Sequence, residues 1–126
     1  YVNDHPIHKE NYFIPEEDAK TINAAMKEKR RIIAVGTTVV RTLESAFNHK
    51  TGLIDSGKGQ SRLFILPGYQ FQVVRGLVTN FHTPGSTLLM LVSAFLGSFD
   101  WLMEIYKAAI KEKYRFFSYG DAMLIL

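Results

Sequence analysis

The sequence predicts an α/β fold in which helices flank a layered, largely parallel sheet, as part of a larger α/β domain. Short apolar runs that fit buried strands alternate with segments whose apolar residues recur at helical spacing. The 126 residues are the size of one ordinary domain, and a hydrophobic content of 47% is enough for a sizeable core. No repeat or low-complexity tract interrupts the alternation.

The first part of the chain contains two predicted strand–helix pairs. Residues 11–14 (NYFI) are compatible with a short strand, and residues 15–31 predict a helix with Pro15 and three acidic residues in its first turn. The apolar run 31–36 (RIIAVG) fits a buried parallel strand. Residues 37–50 then predict the second helix.

The second part begins with a predicted loop. Residues 51–62 are rich in Gly and polar residues without periodicity, which predicts the most mobile segment of the chain. Residues 63–74 predict two short strands around a Pro67–Gly68 turn, and residues 76–81 predict another buried strand. Helices are predicted over residues 85–97, closed by Gly97, and 100–114, followed by strand-like segments around Gly120–Asp121.

Composition and the chain ends narrow the class of protein. The absence of cysteine excludes a disulfide framework and a thiolate metal site. No apolar stretch reaches about 18 residues and no signal-peptide pattern begins the chain, so we expect a cytoplasmic protein without membrane contact. A formal charge of +3 allows a polyanionic partner such as RNA. Because the chain begins with Tyr1 rather than Met, we expect a fragment of a longer protein.

The first polar cluster follows the strand predicted at 31–36. Gly36 allows a tight turn, and Thr37 or Thr38 can cap the next helix, whose free N–H groups and dipole attract an anion. Arg41 lies one turn further on and can lean toward the same anion, while Glu44 can fix Arg41 by an ion pair. A capped helix with a surface Arg–Glu pair explains the same residues without any ligand.

The second polar cluster follows the strand predicted at 76–81. Asn80 and His82 point to the same side of an extended chain, and Ser86 or Thr87 is the expected N-cap of the next helix. Ligands bind at the carboxyl ends of parallel strands, so we favour a functional site in which His82 is a general base or a hydrogen-bond donor. Alternatively, the two side chains only brace the turn. The four His residues never stand four apart, so no metal site is predicted.

The third polar cluster lies near the end of the chain, in residues 114–123 (YRFFSYGDAM). Arg115 stands among aromatic residues that include Tyr119, an arrangement that can stack a base or hold a phosphate. Asp121 places a carboxylate on a tight turn after Gly120. Taken alone, this pattern is better explained by an aromatic core and a turn-forming aspartate.

Together, four stretches resemble one family, the S-adenosylmethionine:tRNA ribosyltransferase-isomerases of queuosine biosynthesis. These stretches are residues 8–14, 31–45, 63–97 and 114–126, so the resemblance covers nearly the whole chain. Members of this family transfer the ribosyl part of S-adenosylmethionine to the preQ1 base in the anticodon loop of tRNA and isomerise it, which gives epoxyqueuosine tRNA. The resemblance implies S-adenosylmethionine as co-substrate, no prosthetic group, no metal and a tRNA partner.

The resemblance also implies where the site residues and the chain itself belong. It places His82, Asn80 and Asp121 among the catalytic candidates, with substrate- or RNA-binding candidates at Gly36, Thr37, Thr38, Arg41, Ser86, Thr87, Arg115 and Tyr119. Residues 1–126 match the C-terminal portion of the family's catalytic α/β domain, without the N-terminal segment and the inserted β-barrel. We therefore expect a fragment that is inactive alone. An RNA-binding or assembly module without catalysis, or a generic small-ligand domain, is the alternative.

Overall fold

Seven strands and three helices with defined bounds form in the part of the chain that the structure describes, and residues 104–105, 107–108 and 111 are helical as well. The structure is a computed structural model, and it describes residues 9–80, 87–97, 104–105, 107–108, 111–112 and 122–125. In chain order the elements are β1 (Glu10–Ile14), α1 (Glu16–Lys27), β2 (Ile33–Val35), α2 (Thr37–Ala46), β3 (Phe47–Asn48), β4 (Leu53–Ile54), β5 (Gly57–Ser61), β6 (Gly76–Asn80), α3 (Thr87–Leu96) and β7 (Ala122–Ile125). The mixed α/β class predicted from the sequence is confirmed.

The central sheet has the strand order β2–β6–β7, in which β2 and β6 run parallel and β7 runs antiparallel to β6. β1 pairs with β5, and β3 pairs with β4, both antiparallel. Only one of these four pairings is parallel, so the prediction of a largely parallel sheet is wrong for the described strands. A short apolar run specifies burial but not direction, and partners distant in sequence decide the direction.

β5 forms inside the segment that the sequence predicted to be a mobile loop. β5 lacks apolar alternation (GKGQS), and its pairing with β1 determines its conformation. Tyr12 lies directly opposite Gly59, and a Cβ atom at position 59 would stand 2.4 Å from the Tyr12 ring and hydroxyl. Gly59 is therefore the residue that lets the Tyr12 side chain lie across β5.

The two strands predicted within residues 63–74 do not form. The structure gives this segment no strand pairing, although Ile65, Val73 and Val74 are buried in the core. Apolar side chains in this segment therefore reflect burial rather than a ladder. The backbone N–H groups of Gln72, Val73 and Val74 donate instead to the side chain of Glu44.

The core lies between the central sheet and helices α2 and α3. Val40 and Leu43 from α2 meet Leu77 from β6 and Leu91 and Val92 from α3 in one buried cluster. α3 ends as predicted at Gly97, whose φ of +81° and whose N–H bonds to the carbonyls of the last turn close the helix. None of the described helices is long and apolar enough to cross a membrane.

Some apolar side chains stay exposed along the strands. Val35 on β2 is 69% exposed, and β2 is an edge strand of the central sheet as far as the described residues define it. Phe13 on β1, Ile33 on β2 and Leu124 on β7 are exposed as well. Apolar surface on an edge strand is typical of a face that another segment or molecule covers.

Candidate functional site at the carboxyl edge of the central sheet

The junction between β2 and α2 is a tight turn at Gly36. Gly36 has φ +97° and donates its N–H to the carbonyl of Val78 on β6 at 2.7 Å. Gly36 itself occupies the N-cap, and no side chain caps α2. The predicted cap by Thr37 or Thr38 is therefore wrong, because the helix already begins at Thr37, which is buried, while Thr38 is exposed.

The carboxyl ends of β2 and β6 meet at one edge of the sheet. Val35 is paired with Val78, so the start of α2 lies beside the last residues of β6, which ends at Asn80. Asn80 is in turn paired with Ala122, the first residue of β7. The backbone thus brings the first polar cluster, at the start of α2, next to the end of β6, where the second cluster begins. The start of β7, which belongs to the third cluster, lies beside the same end of β6.

Several candidate residues lie outside what the structure describes. These are His82, Ser86, Arg115, Tyr119 and Asp121, and the side chains of Asn80 and Thr87. Asn80 and Thr87 are described as the last residue of β6 and the first residue of α3. For all of them the assigned roles stay predictions.

Arg41 forms an ion pair with Glu10 on β1, not with Glu44. The predicted Arg41–Glu44 pair is therefore wrong. The Arg41 side chain is only 19% exposed, and one of its guanidinium nitrogens, Nη1, donates to Glu10 Oε1. This pair ties β1 to the helix that begins at the candidate site. Arg41 has further N–H donors beyond this one, since a guanidinium carries five.

Glu44 is buried, at 5% exposure, and accepts four hydrogen bonds from the loop before β6. Its Oε1 accepts the N–H of Gln72 at 2.8 Å and the hydroxyl of Tyr69 at 3.1 Å. Its Oε2 accepts the N–H groups of Val73 and Val74, each at 2.8 Å. We call Glu44 and these four donors the Glu44 clamp. A carboxylate that accepts three backbone N–H groups, two of them buried, replaces the missing strand pairing of this segment.

The spacing of residues on α2 indicates a buried Glu44, which the predicted Arg41–Glu44 pair does not take into account. Glu44 follows Val40 by four residues and adjoins Leu43, so it lies on the core-facing side of α2. A carboxylate at such a position needs polar partners from another segment, because an unpaired buried charge is strongly unfavourable. The nearest cation in the sequence, Arg41, is not that partner.

The Glu44 clamp also keeps the Tyr69 phenol neutral. Burial raises the pKa of Tyr69, and the negative charge of Glu44 and its hydrogen bond raise this pKa further. Tyr69 therefore stays a hydrogen-bond donor to Glu44 at physiological pH. The clamp holds the loop that leads directly into β6, and so it fixes the strand whose far end reaches the candidate site.

Replacing Gly36 by alanine is expected to lower the free energy of unfolding by about 1–2 kcal/mol. The cause is backbone conformation, because no atom stands within 4 Å of the position that a Cβ would take, while φ is +97°. Chemical unfolding of the variant measures the effect. An unchanged free energy of unfolding would mean that the β2–α2 turn does not need a left-handed residue.

Comparison with known proteins identifies the family of the chain. A sequence profile described as queuosine biosynthesis protein matches residues 1–125. The chain belongs to the queuosine biosynthesis protein family. Within the described residues of this family member, no three His, Cys, Asp or Glu side chains are placed to hold a metal ion.

Relatives of this family member are named S-adenosylmethionine:tRNA ribosyltransferase-isomerase. The protein of that name from Natranaerobius thermophilus is 57% identical over 124 residues, which are 98% of this chain and 36% of that protein. The one from Thermus thermophilus is 57% identical over 122 residues, 97% of this chain and 35% of that protein. The chain thus spans about a third of the length of these relatives.

A solved structure has the same fold over most of the chain. The crystal structure of the S-adenosylmethionine tRNA ribosyltransferase from Thermotoga maritima is 48% identical and superposes with a TM-score of 0.79. The match covers 92% of this chain and 40% of that protein. The described fold is therefore similar to a portion of the fold of that larger protein.

Proposed function

We propose that this chain is part of an S-adenosylmethionine:tRNA ribosyltransferase-isomerase. In queuosine biosynthesis such an enzyme transfers the ribosyl part of S-adenosylmethionine to the preQ1 base in the anticodon loop of tRNA. It also isomerises this group, and the product is epoxyqueuosine tRNA. The observation that carries the proposal is the sequence identity of 57%, over almost the whole chain, with proteins of this name.

The chemistry of this reaction requires groups of the kinds that the carboxyl edge offers. The sulfonium of S-adenosylmethionine acidifies the neighbouring 5′ carbon, so a base must remove a proton there. We assign the catalytic chemistry to His82, Asn80 and Asp121. In this assignment His82 moves a proton or holds the substrate by a hydrogen bond. The described backbone supports the grouping, because Asn80 is paired with Ala122, the neighbour of Asp121 in the chain.

The substrates are anionic at two places, the methionine carboxylate and the RNA phosphates. The start of α2, which no side chain caps, offers the backbone N–H groups of Thr37 and Thr38 and the positive end of a helix dipole to such an anion. Gly36 places these groups by its turn, while its own N–H donates to Val78. Arg41 is one turn away, and its pairing with Glu10 leaves further donors for a ligand. Ser86, Thr87, Arg115 and Tyr119 complete the proposed binding set, which holds S-adenosylmethionine, tRNA or both.

The proposal includes how this chain fits the whole enzyme. We infer that residues 1–126 form the C-terminal portion of its catalytic α/β domain, and that an N-terminal segment and an inserted β-barrel lie elsewhere in the protein. The exposed apolar residues of β2, Ile33 and Val35, are a surface that those parts can cover. The enzyme works in the cytoplasm on soluble tRNA, with S-adenosylmethionine as co-substrate and with neither a prosthetic group nor a metal.

Mass spectrometry of tRNA tests the function. The full-length protein is incubated with S-adenosylmethionine and preQ1-containing tRNA, and the digested tRNA is analysed for epoxyqueuosine. We expect conversion by the full-length protein and none by the 126-residue chain, because other segments complete the site. A full-length protein that binds tRNA without forming product would contradict the proposal and favour an RNA-binding module. Turnover by the 126-residue chain would contradict its incompleteness.

A further inference from the structure

A basic cleft lies at the amino ends of β2 and β6, opposite the candidate site. Its volume is about 440 Å³, and it opens between the end of α1 and the loop that precedes β6. Four exposed cations line it, together with Met26, Ile32, Gln72 and Val73; the cations are Lys29, Arg30, Arg31 and Arg75. No acidic side chain is among the described residues of its lining.

Two segments far apart in sequence supply these charges. Cations at the end of α1 are favourable in any protein, because they oppose the negative end of the helix dipole. That explanation does not extend to Arg75, which follows the Glu44 clamp. The N–H of Arg75 donates to the carbonyl of Ile32 at 2.8 Å, and this bond holds Arg75 beside the segment that follows α1.

Lys29 occupies a backbone position that favours glycine. α1 ends in a Schellman motif, in which the N–H of Lys29 donates to Met26 and the N–H of Arg30 donates to Ala25, at 3.0 and 2.9 Å. Lys29 has φ +58°, and it is the one residue other than glycine with a positive φ among the described residues. Left-handed backbone is unfavourable for a residue that carries a Cβ. The chain keeps a cation where a glycine would be more stable.

Arg30 is the one cation of the cleft with an acidic neighbour in the described structure. Its guanidinium pairs with Glu28 at 2.9 Å, and both side chains are more than half exposed. Such an exposed pair contributes little and can exchange for another anion. The cleft therefore presents a net positive surface, and its outer wall is anchored by the Glu44 clamp through Gln72 and Val73.

We propose that this basic cleft binds the phosphate backbone of the tRNA. The proposal rests on the function proposed above and adds a second contact surface, away from the reacting base. β2 and β6 have three and five residues, so about 10–17 Å separates the cleft from the carboxyl edge. An RNA stem-loop is large enough to reach both. Exposed Lys and Arg side chains from two segments suit phosphates along a strand, since such contacts position RNA without reading its sequence.

The variant Lys29→Gly tests the cleft without a risk of unfolding. Glycine removes the charge and relieves the left-handed strain, so we expect the melting temperature to stay equal or rise. We expect the affinity of the full-length protein for an anticodon stem-loop RNA to fall about three- to ten-fold. The slope of log affinity against log salt concentration is negative. Its magnitude should decrease by about one in Lys29→Gly and by about two in the double variant with Arg75→Ala.

A control variant that loses one positive charge outside the cleft and the KM for S-adenosylmethionine separate the possible outcomes. Lys20→Ala removes one exposed cation of α1 outside the cleft, and we expect its salt slope to match the wild type. The KM for S-adenosylmethionine should not change in Lys29→Gly. Wild-type salt slope and affinity in the double variant would overturn the cleft proposal while leaving the enzymatic function intact. If Lys20→Ala lowers the slope equally, the contact is general charge attraction and the cleft proposal fails. Failure of the function itself would appear separately, as absence of product with the wild-type protein.

Discussion

Replacing Glu44 by alanine is expected to lower the free energy of unfolding by about 3–5 kcal/mol. The substitution removes the acceptor of three backbone N–H groups and one hydroxyl in a segment without strand pairing. Val73 and Val74 are buried, so water reaches their N–H groups only if the loop opens. The expected result is an opened loop at residues 69–74 and a β6 that is less firmly held.

Two milder variants calibrate this effect. Tyr69→Phe removes only one of the four hydrogen bonds and is expected to lower the free energy of unfolding by about 1 kcal/mol. Glu44→Gln keeps the shape but turns an NH₂ group toward backbone donors, so its loss should lie between the other two. Denaturant unfolding gives the free energies, and amide hydrogen exchange at Gln72, Val73 and Val74 locates the opening. If Glu44→Ala costs no more than Tyr69→Phe, the clamp does not hold the loop.

Local patterns were sufficient to predict the helices and the strands that carry the candidate site. The first helix could be predicted because acidic residues begin it and apolar residues recur along it at helical spacing. The structure has α1 at this position. β2 and β6 were readable because each is an apolar run bounded by polar residues. Since consecutive strand–helix units place strand ends at one edge, the position of Gly36 beside β6 followed as well.

Features that depend on distant partners could not be read from local patterns. β5 contains two glycines and no apolar run, and only its pairing with β1 makes it a strand. Val73 and Val74 have the apolar character of a strand, but a carboxylate 29 and 30 residues away accepts their N–H groups. Arg41 likewise pairs with Glu10, which is 31 residues away, and not with Glu44, which lies one turn further along the same helix. Propensity and spacing describe neighbours in sequence, and these contacts are not between such neighbours.

Replacing His82 by alanine in the full-length enzyme is expected to reduce turnover about 10²–10⁴-fold, the usual range for a lost acid–base group. The reason is the catalytic role that we assign to His82, which stands in the chain two residues after Asn80, the last residue of β6. If His82 transfers a proton, the pH–rate profile of the wild type should have a limb near the titration of His that the variant lacks. A variant that keeps this limb would place His82 in substrate binding instead.

His49→Ala is the matched control for this substitution. His49 is an exposed histidine after β3, where it contacts the Phe47 ring edge-on at a centroid distance of 4.9 Å. It lies outside the candidate site, so its replacement should leave turnover within about two-fold of the wild type. The comparison corrects for any general effect of losing a histidine.

The most direct test of the central claim, that the carboxyl edge of the sheet is the reaction site, is turnover per folded molecule in His82→Ala and His49→Ala. Epoxyqueuosine formation and melting temperature are measured on the same preparation of each full-length variant. We predict a large loss of turnover at an unchanged melting temperature for His82→Ala, and neither change for His49→Ala. A lower melting temperature with normal turnover per folded molecule in His82→Ala would contradict the claim, because His82 would then only brace the turn after β6.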